Sequence, residues 1–566
     1  MENLRMALEK LRAQLDMDRS SFLSHWRALG ENILPRRPRF TLTEGNRGDR
    51  RNNKIIDSTA VFAARTLASG MTSGITSPAR PWFKLTTQDP DLAESGAVKQ
   101  WLYTVQSRMN TVFSRSNLYE ILPASYADMG VFGTAVVFAE EDFDAVVRFY
   151  SIPLGTYWLA DDHRGKLGIF IREFRMTVRQ LVEKFGEENL SQMSKGALAS
   201  GMGETWVDVC HVVQPNKDAD QNKLGGKYKK YASIYYERSV NGRALPTNEM
   251  SLLRESGYDY FPVFALRWER TGEDVYGTNC PGMVALGDIR GLQILQKSKA
   301  KAIEKQIDPP MIAPPEMRTE RLSILPGDVS YSGNTNQNAI RAAHDVNFRI
   351  EPVLDDIRSH QDRIRQAFYA DLFLMLSQDD RAQRATATEI NERREEKLLA
   401  LGPVLEQLNQ DLLDPLVDLV FNLMDAQGLV PPAPQQLQGV PLRVEYISIM
   451  AQAQKLVSVS GIERFQQFLL AQLKADPSAL DGVNSNEMMA QYGDITSLPP
   501  GIIRPKEEVE AIQAEKAKAQ QAQQMAQAVP AMAGAASQLA GAPMDTDNAL
   551  TRLLEQANVG AIAPQA

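Results

Sequence analysis

Two long helical patterns separated by a proline-rich stretch constrain this sequence most. The first pattern covers residues 286–306 and is halted by DPPMIAPP at 308–315, because proline lacks the backbone N–H that continues a helix. The second covers 351–376 and follows a turn-rich segment with few hydrophobic side chains. Two long helices on either side of a compact insertion predict an extended helical hairpin, whose outer apolar stripes need a neighbour to cover them.

A third helical pattern follows a polar stretch, SQDDRAQRA, that contains no glycine. Thr386 and Glu389 fit a capping box, which predicts that the helix begins near residue 387. Leucine and isoleucine recur at helical spacing from Ile390 to Leu423, as on the buried face of a helix. Gly402–Pro403 lies inside this pattern and predicts a kink.

The N-terminal half of the chain mixes helices with strands. Helical patterns cover 1–34, 57–75 and 97–118, and the second of these begins at an Asp or Ser cap. Strand patterns dominate from 130 to 270, including a hairpin with an acidic turn, GTAVVFAEEDFDAVVRFY. The fold class predicted is α+β, mainly α.

Beyond a linker, PPAPQQLQG at 431–439, the sequence predicts a smaller helical unit over 441 to about 500. The rest of the chain is rich in alanine and glutamine. A helix through about residue 528 is expected there, with disorder or partner-dependent order beyond it.

Bulk properties exclude several classes of protein. The chain has 566 residues, a net charge of −8 and two cysteines, Cys210 and Cys280. It shows no secretory leader and no apolar run long enough to span a membrane, so we expect a reducing compartment and no membrane partner. An acidic balance argues against a protein that grips nucleic acid regardless of sequence.

Sequence signatures of enzymes are missing. No phosphate-binding GxxxxGK[ST] loop and no GxSxG elbow occur, and the histidines never pair at helical spacing. Cys210 and His211 are adjacent in a strand, where successive side chains point to opposite faces, so a catalytic pair is not expected. An acidic turn is preferred over a metal site for Asp161–Asp162–His163, and Asp379–Asp380 is interpreted as a solvated loop. We expect no catalytic residue, no metal and no cofactor.

Basic residues form the most informative pattern. Lys297, Lys301 and Lys305 are spaced four residues apart and share one face of the first hairpin helix. Arg358 and Arg365 share a face of the second. Ordinary surface charge explains these residues in a monomer, but copies arranged around an axis would turn each lysine into a ring of positive charge.

The sequence resembles the head-to-tail connector, or portal, proteins of short-tailed tailed bacteriophages. The resemblance covers nearly the whole chain and rests on six stretches in the right order. These are DSTAVFAARTLASGMTSGITSPARPWFKL (57–85), NLYEILPASYADMGVFGTAVVF (117–138), DPPMIAP (308–314), TATEINERREEKLLALGPVLEQLNQDLLDPLV (386–417), EYISIMAQAQKLVSVSGIERFQQFLL (445–470) and IIRPKEEVEAI (502–512). The Ala/Gln-rich tail departs from the resemblance.

The resemblance implies a ring, usually a dodecamer, at one vertex of a capsid, through which double-stranded DNA is packaged and ejected. It also implies a division of the chain. The segments are a wing (1–280), a first stem helix (281–306), a clip (307–350), a second stem helix (351–376), a channel loop (377–386), a long kinked wing helix with its linker (387–440), a helical crown (441–505) and a C-terminal helix, barrel or disordered tail (506–566).

The same resemblance implies residues and partners. The channel would be lined by Arg381 and Arg384, and by Lys297, Lys301 and Lys305 if their helix face turns inward. The channel loop would contain Gln378, Asp379, Asp380 and Gln383, and the motor or tail would dock on Glu316, Arg318, Glu320 and Arg321. The partners implied are other copies of the chain, double-stranded DNA, the terminase large subunit that hydrolyses ATP, the major capsid and scaffolding proteins, and tail adaptor proteins. The protein would reside in the virion, and in the host cytoplasm during assembly.

Two other functions stay open at this point. A nucleic-acid-processing enzyme with a scattered site would show turnover as a purified monomer. A scaffold or structural virion protein without a DNA channel, suggested by the long helices and the tail, would form elongated particles with no central hole.

Overall fold

A computed structural model describes residues 4–446 except 41–50, 247–250, 308–310, 313–340, 343–348, 378–400 and a few isolated positions, together with short stretches between 464 and 519. The chain divides into two compact units. One comprises Met1–Ala93 and Ala97–Arg464, and the other comprises Glu94–Gly96 and Phe465–Ala566. Everything below concerns the first unit.

Helices account for much of the described chain. They are Leu4–Asn32, Thr59–Gly74, Gly96–Arg115, Leu118–Phe132, Val178–Phe185, Gln192–Ala199, Pro281–Ile307, Glu351–Ala367, Ala370–Ser377, Gly402–Leu408 and Asp414–Ala426, with a π-helical turn at Asn409–Leu413.

The strands form antiparallel sheets. A three-stranded sheet has the order Val263–Arg267, Thr134–Asp142, Val146–Ile152. A larger sheet has the order Tyr157–Asp161, Leu167–Thr177, Trp206–Pro215, Tyr231–Val240, and the last of these also pairs with Arg243–Ala244 and Leu252–Tyr258. Two smaller ladders pair Phe83–Thr87 with Leu442–Tyr446 and Met311–Ile312 with Arg341–Ala342.

The larger sheet is covered on both faces. Val207 and Val209 pack with the short helices Val178–Phe185 and Gln192–Ala199, whereas Cys210 packs with leucines of the N-terminal helix. Side chains on opposite faces of this one strand therefore pack into two separate apolar clusters, because successive side chains of a strand point to opposite faces. The main core lies where the three-stranded sheet meets the long helices.

The predicted mixture of helices and strands is confirmed. The N-terminal helix, the helix after Asp57, the hairpin 134–152 and the first long hairpin helix occur where the sequence predicts them. The prediction of a helical segment from residue 441 is wrong at its start, because Leu442–Tyr446 is a strand paired with Phe83–Thr87. Leu442, Val444 and Tyr446 pack against the main core, and this spacing of two favours a strand over a helix.

The prediction of one continuous second hairpin helix is also wrong. The pattern over 351–376 divides into Glu351–Ala367 and Ala370–Ser377, and Tyr369 between them has φ +53°. A bulky residue rarely adopts this left-handed conformation, which ends a helix. Phe368 and Ala370 on either side are buried, so tertiary packing supports the break.

Part of the predicted kinked helix lies outside the described residues, including its capping box at Thr386 and Glu389. The described helix begins at Gly402, with Pro403 in its first turn. A π turn at Asn409–Leu413 then precedes Pro415. A widened turn accommodates the missing N–H of a proline, so the irregularity described in this helix lies near Pro415.

Candidate functional site

The helices Pro281–Ile307 and Glu351–Ala367 lie side by side, and we call them the stem hairpin. Ile289 and Leu292 of the first helix and Ile357 and Ile364 of the second are buried. At the far end, Met311–Ile312 pairs antiparallel with Arg341–Ala342. The chain therefore leaves and re-enters the hairpin at adjacent points, as the sequence predicts.

Polar contacts also join the two helices of the stem hairpin. Asp288 Oδ1 contacts His360 Nδ1 at 2.9 Å and accepts a hydrogen bond from Arg363 Nε, also at 2.9 Å. Gly291 faces the same imidazole, and a Cβ placed on it would lie 3.2 Å from His360 Cε1. These contacts fix how the two helices face each other.

Lys297, Lys301 and Lys305, which we call the lysine row, are all exposed on the first helix. Their spacing of four residues places them along one face. Within the described part of the chain, no hydrogen bond or ion pair engages any of the three. The row is therefore a one-sided strip of positive charge whose counterions come from solvent or from a ligand.

The arginines of the second helix differ from the lysine row. Arg358 forms an ion pair with Asp355 at 3.3 Å, and Arg365 forms one with Asp362 at 3.0 Å. Each pair spans three residues on an exposed helix face. The two arginines singled out from the sequence are therefore neutralised within their own helix.

Asp57 connects both stem helices to the helix that follows it. Its Oδ2 accepts hydrogen bonds from Gln296 Nε2 at 2.9 Å and from Gln361 Nε2 at 2.8 Å. Gln293 of the first stem helix binds the backbone at the same point. Its Oε1 accepts from the backbone N–H of Ile56 and Asp57, and its Nε2 donates to the carbonyl of Asp57.

The same carboxylate caps the helix Thr59–Gly74. Oδ1 of Asp57 accepts from the Thr59 backbone N–H at 2.8 Å and from its hydroxyl at 2.6 Å, whereas Ser58 makes no capping hydrogen bond through its side chain. Partial burial acts to raise the pKa of Asp57, but the hydrogen bonds from Thr59, Gln361 and Gln296 outweigh it and lower the pKa. The sequence predicted the cap but not its contact with the stem hairpin.

A buried charge cluster fixes the helix that begins at Gly402. Arg267, at the end of a strand, binds Asp411 in the π turn and also Asp161, which ends a strand of the larger sheet. Burial acts to lower the pKa of Arg267, but the hydrogen bonds and charges of Asp411 and Asp161 raise it. Arg270 adds a second cation at Asp161.

The alternative of a metal site at Asp161 has no support in the described residues. Asp161 is occupied by two arginines, and Asp162 accepts backbone hydrogen bonds in its own turn. Across the part of the chain that is described, no group of three His, Cys, Asp or Glu side chains could hold a metal ion.

Cys210 and His211 lie in different surroundings, as their alternation predicts. Cys210 is buried beneath the N-terminal helix, and burial raises the pKa of its thiol. His211 stacks on Tyr235 with ring centroids 3.8 Å apart and contacts Arg172 and Ser233. Burial lowers the pKa of His211 well below its usual range, and Arg172 and Lys184 add to the effect. Both residues have structural roles here.

Several predicted site residues fall outside the described chain. These are Glu316, Arg318, Glu320, Arg321, Gln378, Asp379, Asp380, Arg381, Gln383 and Arg384. Among the residues that are described, no helix combines the length and apolar character needed to cross a membrane.

Comparison with known proteins identifies the family. The pattern of the family described as bacteriophage head to tail connecting protein matches residues 5–503. The chain is 46% identical over 532 residues to the portal protein of Salmonella phage epsilon15, an alignment that covers 93% of this chain and 94% of the relative. It is 41% identical over 539 residues to a probable portal protein of Bordetella phage BPP-1, with 95% and 96% coverage. The resemblance predicted from the sequence is confirmed, and the chain belongs to the family of bacteriophage head to tail connecting proteins.

Proposed function

We propose that the chain is the subunit of a dodecameric portal ring at one capsid vertex. Double-stranded DNA enters and leaves the capsid through this ring. The stem hairpin lines the channel. The wing (1–280), the clip (307–350), the channel loop (377–386) and the crown (441–505) keep the assignments that the resemblance implies.

The lysine row is the observation that carries this proposal. It offers uncompensated positive charge along one face of a helix, whereas Arg358 and Arg365 on the second stem helix are neutralised by Asp355 and Asp362. Repeated around an axis, Lys297, Lys301 and Lys305 become three rings of positive charge. Two lines of support favour the phosphodiester backbone of DNA as the ligand. One is membership in a family of connectors that conduct DNA, and the other is the row of free lysines on the predicted channel wall.

The charge of the whole chain suits a conduit that lets DNA slide. Duplex DNA carries about one charge per 1.7 Å of axis, and many basic contacts hold it tightly at low salt. A chain with a net charge of −8 repels the backbone on average, while a few lysine rings slow the movement of the DNA or hold its packaged end. The balance favours passage over tight binding.

The energy for packaging comes from a partner. The sequence contains no nucleotide-binding loop, so we assign ATP hydrolysis to the terminase large subunit docked on the clip. Tail adaptors take that position after packaging, and capsid and scaffolding proteins surround the wing. The protein itself has no enzymatic role and is a virion component assembled in the host cytoplasm.

Electron microscopy of the purified full-length protein tests the ring. Negative-stain images are expected to show closed rings with an axial pore wide enough for duplex DNA. Elongated particles without a hole, or a chain that remains single at high concentration and with its capsid partners, would reject the portal assignment.

Replacement of Lys297, Lys301 and Lys305 by alanine tests the lysine row. Rings are expected to form normally, while packaging or genome retention in assembled particles changes. The matched control is alanine at Lys223, Lys227 and Lys229, which removes the same charge from lysines that are ion-paired in the connection between the strands Trp206–Pro215 and Tyr231–Val240. Normal packaging and retention in the first variant would remove the role assigned to the row and leave the portal assignment standing.

A further inference from the structure

The helix Thr59–Gly74 touches the stem hairpin at one end. Asp57, directly before it, binds Gln296 of the first stem helix and Gln361 of the second. Gln293 holds the backbone at the same point. Directional hydrogen bonds therefore attach this end of the helix to both stem helices.

The other end of the same helix touches the segment Ala370–Ser377. Gly70 packs against the side chain of Phe373, and a Cβ placed on Gly70 would lie 2.1 Å from its Cδ1 and Cγ atoms. Phe373 is buried. Only glycine permits this approach, so the position of the helix backbone and the position of the Phe373 ring determine each other.

Between these two contacts the helix is short and closely packed. Gly70 lies thirteen positions after Asp57, a helical distance of about 20 Å. Alanines at 60, 63, 64 and 68 form much of its buried face, which brings neighbouring helices close. Packed, rigid helices of this kind are among the elements that carry energetic coupling between distant sites.

The direct connection between the stem hairpin and Ala370–Ser377 is the break at Tyr369, where φ is +53°. We infer that the helix Thr59–Gly74 braces this break and sets the angle across it, and that Asp57 is the positioning residue at the stem end of the brace. A shift of the stem hairpin then moves Ala370–Ser377 through Asp57, the helix and Phe373. This coupling is a property of the fold and holds whether or not the channel function is correct.

Hydrogen exchange on the full-length protein tests the brace. Gln296→Ala with Gln361→Ala removes both side-chain donors to Asp57 Oδ2 and leaves Thr59 and its cap in place. Exchange of backbone amides in 370–377 is expected to rise at least about tenfold, because two hydrogen bonds to a charged group are lost and the loss of even one corresponds to roughly that factor. The matched control is Gln306→Ala with Gln366→Ala, exposed glutamines on the same two helices, which should leave that exchange unchanged.

The reverse experiment starts at Phe373. Because coupling between two sites is reciprocal, Phe373→Ala should raise exchange around Gln296 and Gln361. Exchange in the hairpin 134–152 reports global destabilisation in both experiments and should stay constant. The inference is overturned if the glutamine variants leave 370–377 unchanged, if Phe373→Ala leaves both stem glutamine segments unchanged, or if exchange rises equally in 134–152.

Discussion

Arg267 binds Asp411 through two parallel hydrogen bonds, with Nε to Oδ2 at 2.9 Å and Nη2 to Oδ1 at 2.6 Å. The arginine side chain is 3% exposed and the aspartate 7% exposed. One residue ends a strand of the three-stranded sheet and the other lies in a π turn, so this pair holds the helix 402–426 to the sheet at its irregular turn.

Asp411→Ala should destabilise the protein strongly. Removing one member of a buried ion pair leaves the other charge poorly compensated, at a cost of about 3 kcal/mol, although Asp161 still contacts Arg267. The midpoint of urea denaturation should therefore fall. Asp425→Ala removes an exposed aspartate from the same helix and should change the midpoint little; equal losses in the two variants would mean that the pair with Arg267 has no special weight.

Two glycines of the first stem helix should respond in opposite ways to alanine. Gly282 is packed against the carbonyl of Val131, and a Cβ placed on it would lie 2.3 Å from that oxygen. Gly282→Ala should therefore cost about 1–3 kcal/mol through overpacking. A Cβ on Gly287 meets nothing within 4 Å, so Gly287→Ala should stabilise the helix by about 1 kcal/mol. Thermal denaturation measures both, and a stabilised Gly282→Ala variant would contradict the packing at Val131.

His211 should make the protein sensitive to mild acid. Burial, with help from Arg172 and Lys184, lowers the pKa of His211 in the folded state, so below about pH 6.5 the unfolded chain binds a proton that the folded chain does not. Stability should fall as the pH drops below that value, with a slope of up to about 1.4 kcal/mol per pH unit from this residue.

His211→Asn should reduce this slope, whatever its effect on stability at neutral pH. Denaturation midpoints between pH 7.5 and pH 5 compare the two proteins. His163→Asn, a change at an exposed histidine, is the control and should keep the wild-type slope. The assignment is wrong if the His211 variant loses stability with acid as steeply as the wild type.

Local sequence patterns predicted the parts of the fold that local physics determines. Apolar periodicity located the stem helices, strand alternation located the hairpin 134–152, and the proline-rich stretch after Ile307 marked the end of the first stem helix. The lysine row was predicted in the same way, because residues four apart on a helix must share a face. All three lysines are exposed, and their place in a channel stays a prediction.

Features that depend on distant contacts were not predictable from one sequence. The sequence around Asp57 does not indicate that its carboxylate binds Gln296 and Gln361. The sequence around Asp411 does not indicate its ion pair with Arg267. The break at Tyr369 contradicts a clear helical pattern, because burial of Phe368 and Ala370 outweighs local propensity. A π turn before Pro415 could have been suspected from the proline, but the carboxylate that it presents to Arg267 could not.

The ladder between Phe83–Thr87 and Leu442–Tyr446 has a consequence for synthesis on the ribosome. Phe83–Thr87 is made early, and its partner strand emerges only after the stem hairpin and the helix Asp414–Ala426. The backbone groups of Phe83–Thr87 that form this ladder therefore lack their partner until the strand Leu442–Tyr446 has been made. Unpaired strand edges can pair with other chains. A nascent polypeptide completes this ladder only once residue 446 has been translated, so the ladder forms late in the synthesis of each chain.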